Sequence, residues 1–186
     1  MRIAYAMCGS FCTHQKSLGV LKDLTIHHAV TPILSESVRD TDTRFGRADV
    51  LRQTVTSLCG NEPILSIRDA EEQITKGIFD CLAVSPCTGN TLGKIANGIT
   101  DSTVTMCVKA QLRCRKPVVI ALATNDGLGA TLHSIAMTIE KKNIYFVPFG
   151  QDAPIAKPTS LVCDFSLVEE TIKNAVSGVQ IQPILL

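Results

Sequence analysis

Small and polar residues follow three predicted strands, at the positions where open parallel sheets commonly bind ligands. Gly9 and Ser10 follow the first strand, where glycine allows a tight turn and a hydroxyl stands beside the amides that open the next helix. The segment 85–101, SPCTGNTLGKIANGITD, follows the fourth strand, and 123–134, ATNDGLGATLHS, follows the fifth. Either of the first two turns can hold a phosphate, although glycine and serine are also routine turn residues. Their coincidence on one sheet edge favours a ligand site.

Two common phosphate-binding motifs are tested directly by spacing. In GNTLGK only three residues separate Gly89 from Gly93, and Ile95 stands where a P-loop needs Ser or Thr for magnesium. A P-loop is therefore excluded. The GLGATL sequence from Gly127 has two glycines of the dinucleotide fingerprint but carries Leu132 at the third position. The pattern argues against a nicotinamide site on this chain.

The elements that must position these turns are short apolar runs alternating with segments of helical period. This pattern predicts an α/β fold with a parallel sheet covered by helices on both faces. The predicted strands are Arg2–Met7, His28–Leu34, Pro63–Ile67, Cys81–Ser85, Val118–Ala123 and Ile144–Val147. The predicted helices are His14–Leu24, Arg47–Leu58, Asp69–Thr75, Thr91–Asn97, Val104–Arg113, Ala130–Lys141 and Leu167–Val176. The irregular stretch 150–159, with two prolines, predicts a loop able to reach over a site or a neighbouring subunit.

Composition narrows the class of protein. The 186 residues are 45% apolar and 19% charged, which predicts one domain, 1–186, around a single core. The formal net charge of +1 gives no field for binding nucleic acid or an anionic membrane. The longest apolar run, Val118–Ala123, is too short to cross a bilayer, and the N-terminal stretch has no signal-peptide pattern. We therefore expect a cytoplasmic protein.

The eight cysteines do not form a ligand pattern. They contain no C-x-x-C pair and no paired Cys/His knuckle, so we predict no metal site. Cys8, Cys81 and Cys107 lie in apolar runs, where a thiol packs as a small hydrophobe in a reducing compartment. His14, in the first turn of a predicted helix, either gives a proton to a nearby ligand or faces solvent.

The turns after strands one and four, GS and SPCTGNTLGKIANGITD, resemble the flavoprotein family of homo-oligomeric flavin-containing cysteine decarboxylases, whose FMN lies across those loops. Three further segments are similar to one branch of this family, which serves as one component of a two-subunit synthase making a pyridine dicarboxylate. They are TDTRFG (41–46), KPVVIALATND (116–126) and KNIYFVPFGQDAPIAKPTSLV (142–162). The resemblance implies a three-layer α/β/α Rossmann-like fold with a six-stranded parallel sheet in the order 3-2-1-4-5-6.

The resemblance also implies an FMN site. The phosphate would meet the turn after strand one, the end of strand two and the start of the helix after strand four, while the ribityl chain and ring would approach residues after strands four and five. The residues carried over for the phosphate are Gly9, Ser10, Ser35, Asn90 and Thr91, and those for the ribityl chain and ring are Pro86, Thr88, Thr124 and Asn125.

The reaction implied is oxidation, during sporulation, of a dihydro or hydroxytetrahydro precursor from the lysine pathway. This chain would be an FMN-binding oxidoreductase subunit that self-associates, and a second subunit would bind NAD or NADP, because the fingerprint here is incomplete and no Cys/His electron-transfer cluster is present. Arg44 in TDTRFG suits a substrate carboxylate, the alternative being a surface ion pair with Asp40 or Asp42.

The sequence departs from the decarboxylating relatives in two places. No histidine follows strand two, where their catalytic histidine lies, and ATND replaces their longer Pro/Met/Asn motif. Two alternatives nevertheless stay open. One is a flavin-dependent decarboxylase or prenyl-flavin-type transferase of the same fold, and the other is a flavin-free structural partner of a dehydrogenase subunit.

Overall fold

The computed structural model describes all 186 residues, Met1–Leu186. Its centre is a parallel sheet in the order β2-β1-β3-β4-β5. The middle strands are continuous apolar runs because helices cover both of their faces. The strands are β1 Arg2–Met7, β2 Ala29–Leu34, β3 Cys81–Cys87, β4 Val118–Thr124 and β5 Ile144–Phe146.

Eight α-helices surround the sheet in two groups. They are α1 His14–His27, α2 Glu36–Asp40, α3 Ala48–Cys59, α4 Ile67–Ile74, α5 Gly89–Ala96, α6 Thr103–Arg113, α7 Ala130–Ile139 and α8 Val168–Val176. Helix α1 contacts both α3 and α8, and α4 to α7 form a second connected group. The three-layer α/β/α prediction is confirmed. A single cluster of 44 buried apolar residues fills both interfaces, and none of the helices is both long and apolar enough to cross a membrane.

The prediction of a third strand over Pro63–Ile67 was wrong. Only Ile64 bridges the sheet, opposite Ile33 at the outer edge of β2, and Ile67 already begins α4. The Ser66 side chain accepts a hydrogen bond from the amide of Asp69 and caps this helix, which ends the extended stretch early. The predicted strand order survives, because Ile64 occupies the place of strand three.

Two short strands were missed at the opposite side of the sheet. β6 (Phe149–Gly150) and β7 (Leu161–Cys163) pair antiparallel, and β7 also pairs antiparallel with the last residues of β4. The sheet therefore has seven strands and is mostly rather than wholly parallel. The loop 151–160 connects β6 to β7, so both of its ends are held beside the carboxyl end of β4.

Candidate functional site

The loops that follow β1, β2 and β3 meet at the carboxyl edge of the sheet. The amide of Cys8 donates to the carbonyl of Pro86 at 3.2 Å, and the amide of Ser35 donates to the carbonyl of Met7 at 3.1 Å. These two bonds hold neighbouring strand ends in register just where the chain leaves the sheet. The turns after strands one and four that were chosen from sequence are therefore brought together.

Gly9 lies where a side chain has little room. A Cβ built at this position would be 3.0 Å from the Ser37 hydroxyl oxygen and 3.5 Å from the Phe11 ring. The Thr13 hydroxyl donates to the Ser10 carbonyl at 2.8 Å and also approaches the Ser10 hydroxyl as a donor at 3.1 Å, so the Ser10 hydroxyl proton stays available. The hydroxyls of Ser35 and Ser37 lie 3.1 Å apart. The turn thus combines a closely packed glycine with three hydroxyl groups.

The start of α5 supplies the second group of donors. Thr88 caps the helix, its hydroxyl accepting from the amide of Thr91 at 3.2 Å and donating to the Thr91 hydroxyl at 3.0 Å. The amides of Gly89 and Asn90 have no acceptor in the protein, and the Asn90 side chain is exposed. Unpaired amides at the positive end of a helix are suited to an anion.

Close packing explains the glycine in this turn. A Cβ on Gly89 would lie 2.8 Å from the Thr124 hydroxyl oxygen and would overlap the hydroxyl of Thr131. Glycine therefore lets the first turn of α5 approach the end of β4 and the first turn of α7. The close packing places Thr124, one of the residues predicted to bind FMN, beside the first turn of α5.

The loop after β4 is fixed by the chain between β6 and β7. The Thr159 hydroxyl donates to the carbonyl of Asn125 at 2.8 Å, and the Ser160 hydroxyl donates to the carbonyl of Thr124 at 3.3 Å. The side-chain amide of Gln151 donates across the base of the loop to the carbonyl of Pro158 at 2.8 Å. Thr124 and Asn125 therefore stand at the foot of a braced loop.

A cavity of about 370 Å³ lies beside this edge, between the start of α1 and the segment 41–48. Phe11, Val38 and Leu51 give it apolar walls, while His14 and Arg44 bring polar groups to it. No carboxylate is among its lining residues. None of the nine residues predicted to bind FMN lines the cavity, although Phe11 follows Ser10 directly.

Arg44 has no ion-pair partner in the structure. Its guanidinium carbon lies 4.8 Å from the centroid of the Phe45 ring, a cation–π contact. Asp40 is paired with Arg39, and Asp42 accepts from the amide of Ala48. The alternative of a surface pair with Asp40 or Asp42 is therefore not formed, and the guanidinium keeps its donors free at the cavity.

His14 is buried rather than solvent-facing. Its Nε2 lies 2.8 Å from the carbonyl oxygen of Cys8, which can only accept, so Nε2 carries the proton. Burial lowers the pKa of His14, with the hydrogen bond to the Cys8 carbonyl acting in the opposite direction. The imidazole is therefore neutral at physiological pH. Sequence reasoning left this residue undecided, and packing beside Phe11 at 5.1 Å between ring centroids settles its position.

The thiol of Cys8 is structural. It is buried, and burial raises its pKa to about 11, against the smaller lowering effect of a hydrogen bond to Thr91. Cys81 and Cys107 are also buried, with burial raising the pKa of each. A protonated thiol is a poor nucleophile. These three cysteines pack as apolar side chains, as predicted.

A polar cluster beneath the turns was not predicted. The hydroxyl of Tyr5 lies 2.8 Å from Ser17 Oγ and 2.9 Å from Ser85 Oγ, and the Ser17 hydroxyl donates to the Ser85 carbonyl at 2.6 Å. All three residues are fully buried, and burial raises the pKa of Tyr5 well above its usual value. The cluster ties β1, α1 and β3 together directly below Pro86.

Comparison with known proteins places the chain in a family. The family model described as Flavoprotein matches residues 2–180. The chain is 39% identical over 186 residues to the B subunit of dipicolinate synthase in Bacillus subtilis (strain 168), and the match covers all of this chain and 93% of that protein.

Solved structures agree with this placement. The crystal structure of the B subunit of dipicolinate synthase from Bacillus halodurans C aligns with a TM-score of 0.90 at 39% identity, covering 100% of this chain and 95% of the other. The FMN-dependent cysteine decarboxylase SpaF shares the fold, with a TM-score of 0.69 at 21% identity over 94% of this chain and 97% of that one. The chain belongs to the flavoprotein family.

Proposed function

We propose that this chain is the FMN-binding redox subunit of a dipicolinate synthase. It contributes to oxidation of the dihydro or hydroxytetrahydrodipicolinate precursor to dipicolinate in the mother-cell cytoplasm of a sporulating bacterium. The structural observation that carries the proposal is the set of unpaired donors where β1 and β3 end. The full-length similarity to the dipicolinate synthase B subunit supplies the substrate class.

The residues present fit a flavin phosphate. Gly9 has no side chain to clash with Ser37 and Phe11 in the turn after β1, and the amides of Gly89 and Asn90 have no acceptor in the protein. The hydroxyls of Ser10, after β1, and of Ser35, after β2, add polar groups at the same edge of the sheet. Because Thr91 is buried and its hydroxyl is engaged by Thr88, we assign it to holding the helix start rather than to direct contact.

Pro86, Thr88, Thr124 and Asn125 then flank the ribityl chain and the ring. When bound, FMN supplies a two-electron acceptor for the oxidation. The protein's own part is to hold the cofactor by its phosphate and to present the substrate beside it. The braced loop 151–160 limits how far the end of β4 can move.

Arg44 is the residue that we assign to substrate binding. A guanidinium without a carboxylate partner, lining a cavity that has no acidic lining residue, is suited to a carboxylate of the substrate. The apolar walls formed by Phe11, Val38 and Leu51 suit a flat ring of pyridine size. A dianionic pyridine dicarboxylate matches both features.

A direct test of flavin binding uses the purified chain with excess FMN. We expect a yellow protein whose absorbance at flavin wavelengths survives desalting. Asn90→Ala removes a polar group at the start of α5 and should weaken binding about fivefold, the value of one hydrogen bond of about 1 kcal/mol. A colourless wild-type protein after desalting would show that the site assignment is wrong.

The second subunit is tested by activity. FMN would act catalytically only if another component restored its oxidised form, so we expect a nicotinamide-binding A subunit to complete the cycle. Precursor oxidation is measured with NAD or NADP, first with this chain alone and then with the dehydrogenase-like A subunit added. Sustained turnover by the single chain would contradict the division of labour, and no turnover by the pair would contradict the proposed reaction.

We also expect the chain to self-associate. One solved FMN-dependent decarboxylase of this fold is dodecameric, and here Leu128 and Leu132, in the segment after β4, and Ile155, in the loop 151–160, expose apolar side chains. Light scattering across micromolar concentrations should give a mass that is a multiple of 20 kDa. A 20 kDa species at every concentration would count against an oligomer.

A further inference from the structure

We propose that His14 is the general base that removes a ring proton when the dihydropyridine dicarboxylate is aromatised in the cavity. This inference rests on the proposed function and adds a catalytic residue to it. Three features support it: which nitrogen of the imidazole is free, which groups surround it, and what the reaction must release.

The hydrogen bond to Cys8 leaves Nδ1 as the reactive atom. Because Nε2 donates to the Cys8 carbonyl at 2.8 Å, Nδ1 carries the lone pair. Nδ1 has no hydrogen-bond partner. It is not one of the unpaired side-chain polar atoms that are completely buried, so it keeps some accessible surface. The ring is therefore fixed by one nitrogen, while the other can be reached from the cavity that His14 lines.

The surroundings of His14 favour proton uptake only when an anion is present. The ionisable side chains that line the same cavity are Cys12, Arg44 and Arg47, and Arg47 is already paired with Asp49 at 2.8 Å. The backbone contact from β1 is the Cys8 carbonyl, and α2 contributes the apolar Val38. No protein carboxylate lines the cavity to stabilise an imidazolium, so the two carboxylates of the substrate must do so.

The reaction needs such a base. A dihydropyridine becomes a pyridine by losing one hydrogen as hydride and one as a proton. The hydride leaves with its bonding pair to a flavin or nicotinamide acceptor, and the electron pair of the second broken bond completes the aromatic ring. That second hydrogen goes to Nδ1 of His14 as a proton. The resulting imidazolium then lies beside the dianionic product until the product leaves and solvent takes the proton.

The experiment measures proton uptake when pyridine-2,6-dicarboxylate binds. Calorimetric titration at about pH 7.5, above the ordinary histidine pKa, in two buffers of different ionisation enthalpy gives the number of protons bound with the ligand. Wild type should take up protons, because a neutral His14 becomes protonated beside the dianion. His14→Gln keeps a donor for the Cys8 carbonyl but has no basic nitrogen, so its proton uptake should be lost. His27→Gln, on the exposed end of the same helix, should match wild type.

Two further measurements extend the test, and the first uses only wild-type protein, so it does not depend on how well the variant folds. In wild-type protein labelled with nitrogen-15 histidine, the Nδ1 resonance of one histidine should move from the unprotonated to the protonated range as the ligand is added. In the assay with both subunits, His14→Gln should lower kcat about 100-fold or more and remove the acidic limb of the pH profile.

The outcomes separate the two proposals. Failure of the wild-type chain, with or without FMN, to bind the dicarboxylate would overturn the proposed function itself. Binding with equal proton uptake in wild type and His14→Gln, or with no histidine resonance moving, would overturn the role of His14 and leave the function standing.

Discussion

Two polar regions lie close together in this molecule, and they differ in whether their hydrogen bonds are complete. The Tyr5–Ser17–Ser85 cluster is fully buried, and each of its hydroxyls has a partner within 2.9 Å. In the cavity beside it, Nδ1 of His14 and the guanidinium of Arg44 have no hydrogen-bonding partner in the protein. Buried polar groups are normally paired, so unpaired groups at a cavity are those available to a ligand.

The difference shows how the fold divides its polar residues between structure and chemistry. A fully paired cluster makes the chain rigid, because breaking any one hydrogen bond leaves another buried polar group without a partner. Here the cluster joins β1, α1 and β3 directly under the turns that we assign to FMN. The cluster can therefore stabilise this part of the chain while Nδ1 of His14 and the guanidinium of Arg44 remain free to bind a ligand. Three substitutions test this division, one in the turn above the cluster, one in the cluster and one in the cavity, and they are ordered by the size of the effect expected.

Replacing Gly9 with valine should have the largest effect. The Cβ alone would lie 3.0 Å from the Ser37 hydroxyl, so a valine would displace the turn that we assign to the phosphate. We expect FMN to bind at least 100-fold more weakly, about 2.7 kcal/mol, as measured by quenching of flavin fluorescence. Gly19→Ala is the control, because a Cβ at that position would meet no atom within 4 Å beyond its chain neighbours and the nearby backbone of its own helix. Unchanged affinity in Gly9→Val would remove this turn from the site.

Replacing Tyr5 with phenylalanine should break the hydrogen bonds of the Tyr5–Ser17–Ser85 cluster and leave ligand binding intact. Ser17 and Ser85 would lose a buried partner, which costs about 2 kcal/mol of the free energy of unfolding. The midpoint of thermal unfolding should fall by about 4–8 °C. Tyr145→Phe is the matched control, since the hydroxyl of Tyr145, the other tyrosine, makes no hydrogen bond.

The two tyrosine variants also separate structure from binding. FMN affinity in Tyr5→Phe should stay close to that of wild type at temperatures where the variant is folded. A loss of flavin affinity as large as that of Gly9→Val would mean that the cluster is part of the binding site rather than its support. Equal melting of both tyrosine variants would mean that the cluster contributes little to stability.

The parts of the fold that sequence predicted are those with long, uniform patterns. β1, β3 and β4 are buried on both faces, so each appears as a continuous apolar run. The turn at Gly89 could be predicted because a glycine and a polar residue come directly before a stripe of apolar residues with helical period. β6 and β7 were missed because strands of two and three residues carry no periodicity.

The parts that sequence could not predict depend on which groups meet in space. Tyr5 bonds to residues 12 and 80 positions away, and no local signal links hydroxyls at such distances. Arg44 is close in sequence to both Asp40 and Asp42. In the structure, however, Asp40 is paired with Arg39, and Asp42 accepts a hydrogen bond from the amide of Ala48. His14 could be assigned to the interior only when its contact with the Cys8 carbonyl was known. The FMN residues themselves stay a prediction that the flavin experiments must test.

Replacing Arg44 with lysine should have the smallest of the three effects, because the positive charge is kept. Lysine is a point charge that cannot form two parallel hydrogen bonds with one carboxylate, and it stacks less well on Phe45. We expect pyridine-2,6-dicarboxylate to bind about tenfold more weakly, about 1.4 kcal/mol, with flavin content and melting temperature unchanged. Arg52→Lys is the control, since Arg52 lies outside the cavity and is paired with Glu62 at 2.8 Å. If both variants bound the dicarboxylate as wild type does, the free guanidinium would not be a substrate ligand, and of the polar groups assigned here to the cavity only His14 would remain.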